Sequence, residues 1–478
     1  MSMSCIELLT TTLSFFLYIA NPPIQSNSTS KLVFSSLPIS SLKTIHYTNM
    51  VFSKAESPFY DIKVTTVGPG YISGENAVQE LTGMDLAMKL HYIRAVYYFR
   101  SPAFEGLSIV AIKEVIFKWH SKAYIPCGRL RRGDSGRPYI KCNDCGARMI
   151  EAKCNMTLDE WLESVDDDKH KLLVPNPVLG PDLPFSPPVF MQLTMFKCGA
   201  TSVGVSWAHV LGDVFSATIF MNMWGDATKD LYPAQPLLMA PSHNEGTKYK
   251  SAMRDPLAIK RVDPVGDLWA TTNDTKMENY SFYLSWPELT RLQSKICGDN
   301  DHQTIPPFES ICSLVWQCLA KIKQGSKVNT VTICQRVSQN SFEGFLTNKA
   351  QSIKVVKTEE SVEESSIMEL GLLLMNQGLD ERKSIEETME SDGGLADFLL
   401  YGANLTFVDL LDAPFYDLDI RGNTPVYVNC VIDNVGDEGV VLVYPARKDQ
   451  SDGMRISVTL PQNHISKLKS ILKKEWSL

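Results

Sequence analysis

The sequence predicts an α/β protein built from two halves of similar size. From about residue 60 onward, short β-rich runs alternate with helix-length segments of apolar periodicity. Proline and glycine separate these runs, as is usual at turns. A polar, proline-containing stretch at 233–263 lacks this periodicity, so we expect it to be a crossover linker between a domain at 59–232 and a domain at 264–478.

The composition narrows the class of protein. The chain has 478 residues, of which 44% are hydrophobic and 21% charged, which is ordinary for a soluble protein with sizeable cores. Its 46 Lys and Arg residues against 54 Asp and Glu residues give a net charge of −8, and the basic run Arg129–Arg132 is short. We therefore expect no nucleic-acid partner.

Residues 1–58 differ from the rest of the chain, and we expect them to be disordered or a mis-annotated extension. Residues 1–49 contain ten Ser and no Arg. The apolar run Leu8–Ala20 has the length of a signal-peptide core, but the charge that precedes it is Glu7. A start at Met50, a weak signal or transit function, and a disordered tail remain open. We expect no transmembrane span in the rest of the chain.

Local patterns predict individual elements in both halves. In the first half, Leu107–Phe117 has helical spacing, and Val189–Met195 with Ser202–Trp207 forms a hairpin that delivers His209 at its end. The acidic run at 359–364 is typical of the solvated face of a helix. The other predicted elements of the second half are a helix over Phe308–Leu319 and strands over Asn329–Ile333, Val426–Ile432 and Gly439–Tyr444.

The cysteines indicate a reducing, cytosolic compartment. There are eleven, an odd number spread through the chain. Cys142, Cys145 and Cys154, with Cys127 upstream, have metal-like spacing but lack a second paired set and a histidine. We expect no metal site there, and we interpret Asn143–Gly146 as a turn between two strands.

His209 and Asp213 form the candidate catalytic segment. A histidine at a strand end can project into a cleft while its backbone stays fixed, which suits a general base. Asp213 precedes a helix-like run and is equally suited to be its N-cap. From these two residues alone, His209 can be either a general base or a structural histidine whose hydrogen bonds are made within the protein.

The order of several motifs extends this interpretation. They are Tyr124–Leu130, Cys142–Ala147, Phe196–Ala200, Trp207–Asp213, Phe308–Ser310 and Val315–Trp316. In this order they resemble the plant BAHD acyltransferase family, over about residues 60 to 478. The resemblance implies a two-domain fold like that of chloramphenicol acetyltransferase, in which each domain is a mixed sheet with flanking helices and a channel runs between them.

The same resemblance implies roles for four residues. His209 would deprotonate an acceptor hydroxyl or amine, which then attacks an acyl-CoA thioester. Asp213 would be structural and pair with Arg336 of the second domain. Asp419 would begin the second family motif. Acyl-CoA would be a substrate, and no cofactor is implied.

The chain also departs from the family pattern. In the second motif, Asp419–Asn423, only Asp419 and the downstream Pro425 match. Val214 and Thr406–Phe407 replace other family residues, and the proline-rich stretch after Arg336 is missing. In the family these elements shape the CoA side of the channel, so the departures predict impaired turnover.

A further set of segments resembles one branch, the Eceriferum and Glossy wax proteins. They are Met84–Tyr92, Gly180–Leu183, Ser206–His209, Gly212–Ala217 and Tyr401–Phe407. This implies a protein, monomeric by itself, that promotes very-long-chain fatty acyl-CoA elongation for cuticular wax. Its partner would be the elongase condensing enzyme, a ketoacyl-CoA synthase, on the cytosolic face of the endoplasmic reticulum. An active acyl-CoA-dependent O- or N-acyltransferase using His209, and an inactive small-molecule binding protein, remain the alternatives.

Overall fold

Two mixed β-sheets with helices packed on them form the framework of the protein, which confirms the α/β prediction. The structure is a computed structural model that describes residues 57–100, 103–164, 169–240, 255–273, 275–297, 304–323, 328–337, 345–446, 453–476 and 478. The predicted extension at 1–58 lies outside the described residues except for its last two. Contacts group Pro58–Leu478 into one compact unit.

The strands follow the chain in the order β1 Phe59–Val67, β2 Val78–Glu80, β3 Tyr92–Phe99, β4 Arg129–Arg132, β5 Pro138–Lys141, β6 Ala147–Cys154, β7 Val189–Phe196, β8 Thr201–Ala208, β9 Leu238–Met239, β10 Lys260–Arg261, β11 Met277–Ser285, β12 Thr330–Arg336, β13 Phe345–Leu346, β14 Gln351–Lys357, β15 Leu379–Asp380, β16 Phe398–Leu399, β17 Leu405–Asp409, β18 Tyr427–Asp433, β19 Val440–Pro445 and β20 Gly453–Pro461. The α-helices are α1 Gly83–Ala87, α2 Ile109–His120, α3 Leu158–Ser164, α4 Val214–Ala227, α5 Trp286–Cys297, α6 Pro307–Ile322, α7 Ile367–Asn376, α8 Arg382–Ser391 and α9 Gln462–Ile471.

The first sheet has six strands in the order β1-β6-β7-β8-β3-β18. Strands β6 and β7 are parallel, and the other neighbours are antiparallel. Five strands come from the first half of the chain, whereas β18 comes from near its C-terminal end. The first sheet is therefore completed by the second half of the chain.

The second sheet has seven strands in the order β11-β20-β19-β17-β12-β14-β15. Its centre, β19-β17-β12, is parallel. Two short pairings connect the predicted linker to the second half of the chain: β9 with β13, and β10 with β16. The domain boundaries at 232 and 264 stay predictions, because these pairings and β18 tie residues on both sides of them together.

Several predicted elements are confirmed. The hairpin is β7 with β8, and His209 follows β8 directly. The helix predicted over 107–117 is α2, whose N-cap Ser108 accepts a hydrogen bond from the Ala111 amide. Helix α6 and strands β12, β18 and β19 correspond to the other four, and Asn143–Gly146 connects β5 to β6.

The prediction of a helix for the acidic run at 359–364 is wrong. Residues 359–364 form bends and turns, and α7 begins later, at Ile367. Ser366 sets this start, because it forms a reciprocal capping box with Glu369. The carboxylates of the run are exposed, as expected, and they precede the N-terminus of α7, where negative charge is favourable.

Each sheet contributes to a large buried apolar cluster. One cluster takes side chains from both sheets and includes Trp119, Trp207 and Tyr401. The other lies between the second sheet and its helices, with Trp316 near its centre. Within the ranges described above, none of the helices combines the length and apolar character that crossing a bilayer requires.

Candidate functional site at His209

A sharp turn after β8 fixes the position of His209. The backbone makes one 3₁₀ turn over His209–Leu211 and then passes through Gly212, whose φ of 143° favours glycine. A Cβ at Gly212 would lie 2.6 Å from the Ser216 side chain. The Trp207 indole donates to the Gly212 carbonyl at 2.9 Å, and the His209 amide donates to the His91 carbonyl at 3.1 Å. His209 is therefore held at the strand end, as predicted.

Asp213 is the N-cap of α4. Its Oδ1 accepts from the Ser216 amide at 2.9 Å, and its own amide donates to the Thr347 carbonyl at 3.2 Å. The Ser216 hydroxyl also bonds to the backbone of Thr347. Burial raises the pKa of Asp213 to about 6, against the lowering effect of the Ser216 hydrogen bonds and of Arg336. The Asp213 side chain thus caps α4, while the Asp213 amide and the Ser216 hydroxyl fasten the start of α4 to Thr347 in the second half of the chain.

Arg336 lies close to Asp213 but makes a different contact. Its guanidinium stacks 4.5 Å above the Phe215 ring, at the exposed end of β12. The structure describes both Asp213 and Arg336, and it places no ion pair within 4.0 Å between them. Arg336 acts on Asp213 through longer-range electrostatics, by lowering its pKa. The structural role assigned to this pair stays a prediction.

Asp419 lies in a turn at the other end of α4. Its Oδ1 accepts from the Gly422 amide at 2.5 Å, and its Oδ2 lies 3.3 Å from the Lys229 Nζ. Lys229 follows the last turn of α4. The aspartates of the two motifs therefore bracket one helix, and the structural role of Asp419 stays a prediction.

Both ring nitrogens of His209 have protein partners. Nδ1 is 3.0 Å from the Asn348 Oδ1, and Nε2 is 3.0 Å from the Tyr401 hydroxyl. All three side chains are buried, with exposed fractions of 0% for His209 and Tyr401 and 2% for Asn348.

The Asn348 amide fixes the tautomer of His209. Its Nδ2 donates to the His209 carbonyl at 2.9 Å and to the Asp85 Oδ1 at 3.0 Å. Since both partners are acceptors, the amide nitrogen must face them and the amide oxygen must face the ring. Nδ1 of His209 therefore carries the proton, and Nε2 accepts a hydrogen bond from the Tyr401 hydroxyl.

Asp85 anchors this network in helix α1. Its Oδ2 accepts from the Thr82 amide at 2.9 Å and from the Thr82 hydroxyl at 2.8 Å, which completes a capping box. Burial raises the pKa of Asp85, while the hydrogen bonds from Thr82 and Asn348 lower it.

His91 holds the backbone that carries Tyr401. The His91 Nε2 accepts from the Leu400 amide at 3.1 Å and from the Tyr401 amide at 3.3 Å. Burial lowers the pKa of His209 to about 4, and burial together with the neighbouring His209 lowers that of His91 to about 3. Both imidazoles are therefore neutral at pH 7.

Sequence reasoning placed His209 and Asp213 together but missed four residues of this network: Asp85, His91, Asn348 and Tyr401. Three of them lie in segments that the branch resemblance already marked, 84–92 and 401–407. These segments converge on His209, so the branch resemblance already pointed to the parts of the chain that hold these three residues. Asn348 had no such signal.

A cavity of about 420 Å³ opens where Arg336 stacks on Phe215. Its charged lining combines three cations with three carboxylates: Arg336, Lys354, Arg382, Asp380, Asp409 and Asp412. No group of three or more metal-ligating side chains occurs in the part of the chain that the structure describes. The cavity can therefore accept polar groups, but its lining does not favour one sign of charge.

The sequence has relatives over most of its length. A family profile described as "Transferase family" matches residues 63–474. Protein ECERIFERUM 26 of Arabidopsis thaliana is 38% identical over 421 residues, which are 88% of this chain and 97% of the relative. Protein ECERIFERUM 2 of the same species is 38% identical over 432 residues, covering 86% and 97%. A hydroxycinnamoyltransferase of Narcissus pseudonarcissus is 24% identical over 422 residues, covering 82% and 94%.

Solved structures share the fold. The crystal structure of vinorine synthase has a TM-score of 0.63 at 14% identity, covering 86% of this chain and 96% of that one. TRI101 of F. graminearum complexed with ethyl coenzyme A has a TM-score of 0.62 at 14% identity, covering 84% and 98%. These likenesses establish the fold alone, and they confirm the predicted BAHD architecture. Together with the family profile and its plant relatives, they place this chain in the Transferase family of BAHD acyltransferases, in its ECERIFERUM branch.

Proposed function

We propose that this protein promotes elongation of very-long-chain fatty acyl-CoA for cuticular wax by acting with a ketoacyl-CoA synthase at the cytosolic face of the endoplasmic reticulum. Its kinship with ECERIFERUM proteins at 38% identity supports this branch of the family. The observation that carries the proposal against free-standing acyl transfer is the state of His209. Its Nε2 already accepts from Tyr401, and the residue is 0% exposed.

A general base must reach the proton that it removes. The reacting hydroxyl has to lie about 2.6–3.2 Å from the accepting nitrogen. In this structure the Tyr401 hydroxyl holds that position at 3.0 Å. An external alcohol or amine would have to displace a buried phenol first, so the protein is better suited to act through its surface on a partner enzyme.

One observation favours the alternative, an acyl-CoA-dependent O- or N-acyltransferase with His209 as general base. The Asn348 amide keeps the proton on Nδ1 and leaves the lone pair on Nε2. That tautomer is the one a base at this position needs. The alternative requires that the Tyr401 side chain leave its present position.

The experiment co-expresses a very-long-chain ketoacyl-CoA synthase in yeast with the wild-type protein, with His209→Gln and with His464→Gln. His464 lies on α9, away from the His209 hydrogen bonds, and provides a matched control. Glutamine retains a donor and an acceptor at position 209, and the soluble amount of each variant is measured. Acyl-chain length is read by gas chromatography, and CoA release by purified protein is followed by thiol titration.

We expect longer acyl chains with all three versions and no CoA release by the purified protein. If soluble His209→Gln loses chain lengthening while His464→Gln keeps it, the alternative replaces this proposal. CoA release that depends on His209 and on an added alcohol or amine would have the same consequence.

A further inference from the structure

The Tyr401 hydroxyl occupies the hydrogen-bonding position of an external alcohol. It donates to the Nε2 of His209 at 3.0 Å, and the two ring centroids are 5.4 Å apart. The His91 ring packs edge-on against Tyr401 at 4.9 Å. The phenol is thus enclosed by two neutral imidazoles and by the apolar core.

The backbone of Tyr401 is fixed on both sides. Its amide donates to the His91 Nε2 at 3.3 Å, and its carbonyl accepts from the Gly436 amide at 2.9 Å. The next residue, Gly402, has a φ of 83° and packs so closely that a Cβ would lie 2.4 Å from the Gly436 carbonyl oxygen. The phenol is therefore a fixed part of the core and not a side chain on a mobile loop.

We propose that Tyr401 is a built-in occupant of a hydroxyl-binding site on His209, and that removing its side chain creates a site for a small aromatic alcohol such as phenol. The cavity would have the shape of the ring that was removed. It would also contain one strong acceptor, Nε2, kept unprotonated by Asn348. Enclosed cavities bind ligands that match their shape, and an unmatched buried acceptor adds a preference for a donor.

Reactivity of His209 is the first readout. Diethyl pyrocarbonate carbethoxylates neutral imidazole nitrogens, and peptide mass spectrometry identifies which histidine has reacted. We expect His209 to be protected in the wild-type full-length protein and to react in Tyr401→Ala, because the variant lacks the phenol that covers Nε2. Protection of His209 in both proteins would overturn the proposal. Tyr444→Ala is the matched control, since Tyr444 is also a fully buried tyrosine but bonds to the Cys430 amide. It should leave His209 protected.

Phenol and toluene separate hydroxyl recognition from simple filling of the cavity. In Tyr401→Ala, phenol at about ten times its Kd should slow carbethoxylation of His209 about elevenfold, since the free fraction is 1/(1 + [L]/Kd). Toluene has the same ring without the donor, so it should protect only at much higher concentration. Equal protection by both compounds would overturn the proposal.

Two further results would also overturn it. One is carbethoxylation of His209 in the wild-type protein as fast as that of His464, which is only partly buried. The other comes from ¹⁵N spectra of histidine-labelled wild-type protein, which need no variant: a proton on Nε2 would show that Tyr401 is not the donor. These measurements use the purified protein alone, so their outcome does not depend on whether the protein lengthens acyl chains.

Discussion

Asn348→Ala should destabilise the protein far more than an ordinary surface substitution. The Asn348 side chain makes three buried hydrogen bonds: to the His209 Nδ1, to the His209 carbonyl and to the Asp85 Oδ1. Alanine removes all three hydrogen bonds at once and leaves these three groups without the partner that Asn348 provided. Asn348 is 2% exposed, so water cannot easily compensate.

The size of the effect follows from these contacts. A buried polar group left without its partner costs about 1–3 kcal/mol. Three such groups would sum to about 3–9 kcal/mol, and partial relaxation around the small side chain brings the expected loss to roughly 3–5 kcal/mol. Since a domain is stable by about 5–15 kcal/mol, this loss would remove a large share of the stability of the protein.

Urea unfolding followed by tryptophan fluorescence measures this loss, with the midpoint converted through the slope of the transition. Asn155→Ala is the matched control, because Asn155 is exposed and should change the stability by less than about 0.5 kcal/mol. A loss below about 1 kcal/mol for Asn348→Ala, or one equal to that of the control, would refute the hydrogen-bond assignment and the His209 tautomer derived from it.

Two other predictions concern buried charge. Lys89 forms an ion pair with Asp397 at 2.8 Å, with side chains 1% and 5% exposed, so Lys89→Ala should cost roughly 3–5 kcal/mol by leaving the carboxylate buried without its countercharge. In a double-mutant cycle with Asp397→Ala, purely additive losses would contradict this. Burial also lowers the pKa of four histidines to about 3 or 4: His91, His120, His170 and His209. The unfolded chain binds protons below about pH 6.5 and the folded chain does not, so the stability should fall as the pH drops from 6.5 towards 4. The raised pKa values of four carboxyl groups, Asp85, Asp213, Glu309 and Asp409, act in the opposite direction, so the net fall in stability should be smaller than the four histidines alone would give. Thermal unfolding at pH 7 and pH 5 tests this, and a Tm that is unchanged or higher at pH 5 would disprove it.

The local sequence pattern predicts most of the individual helices and strands, but it does not predict how the strands assemble into sheets. Alternation of apolar and polar residues predicts the β7–β8 hairpin, although the structure buries nearly every residue of both strands. The sequence also predicts a strand over Val426–Ile432, which corresponds to β18, yet nothing local indicates that this strand joins the first sheet. The prediction of a helix over the acidic run is wrong for a different reason. Ser366 caps the helix and sets its start, which the charge pattern alone does not locate.

The same limit applies to the site. His209 and Asp213 are neighbours in sequence, so a motif can identify them together. Asn348 and Tyr401 lie 139 and 192 residues from His209 along the chain, and only tertiary structure brings them to its ring. The branch resemblance marked the segment of Tyr401 but not Asn348, and the sequence alone could not show that the Tyr401 hydroxyl bonds to the His209 Nε2.

The position of β18 has a consequence for how the protein is made. Strand β18 pairs with β3 over its whole length, from Tyr427 opposite Tyr98 to Asp433 opposite Tyr92. During synthesis, β3 leaves the ribosome long before β18 exists, and its outer edge stays unpaired for that time. Such late, long-range pairing slows folding and leaves an edge on which other chains can aggregate. Fragments that end before residue 433 would keep this open edge, so binding regions are better mapped by point substitutions in the full chain than by truncation.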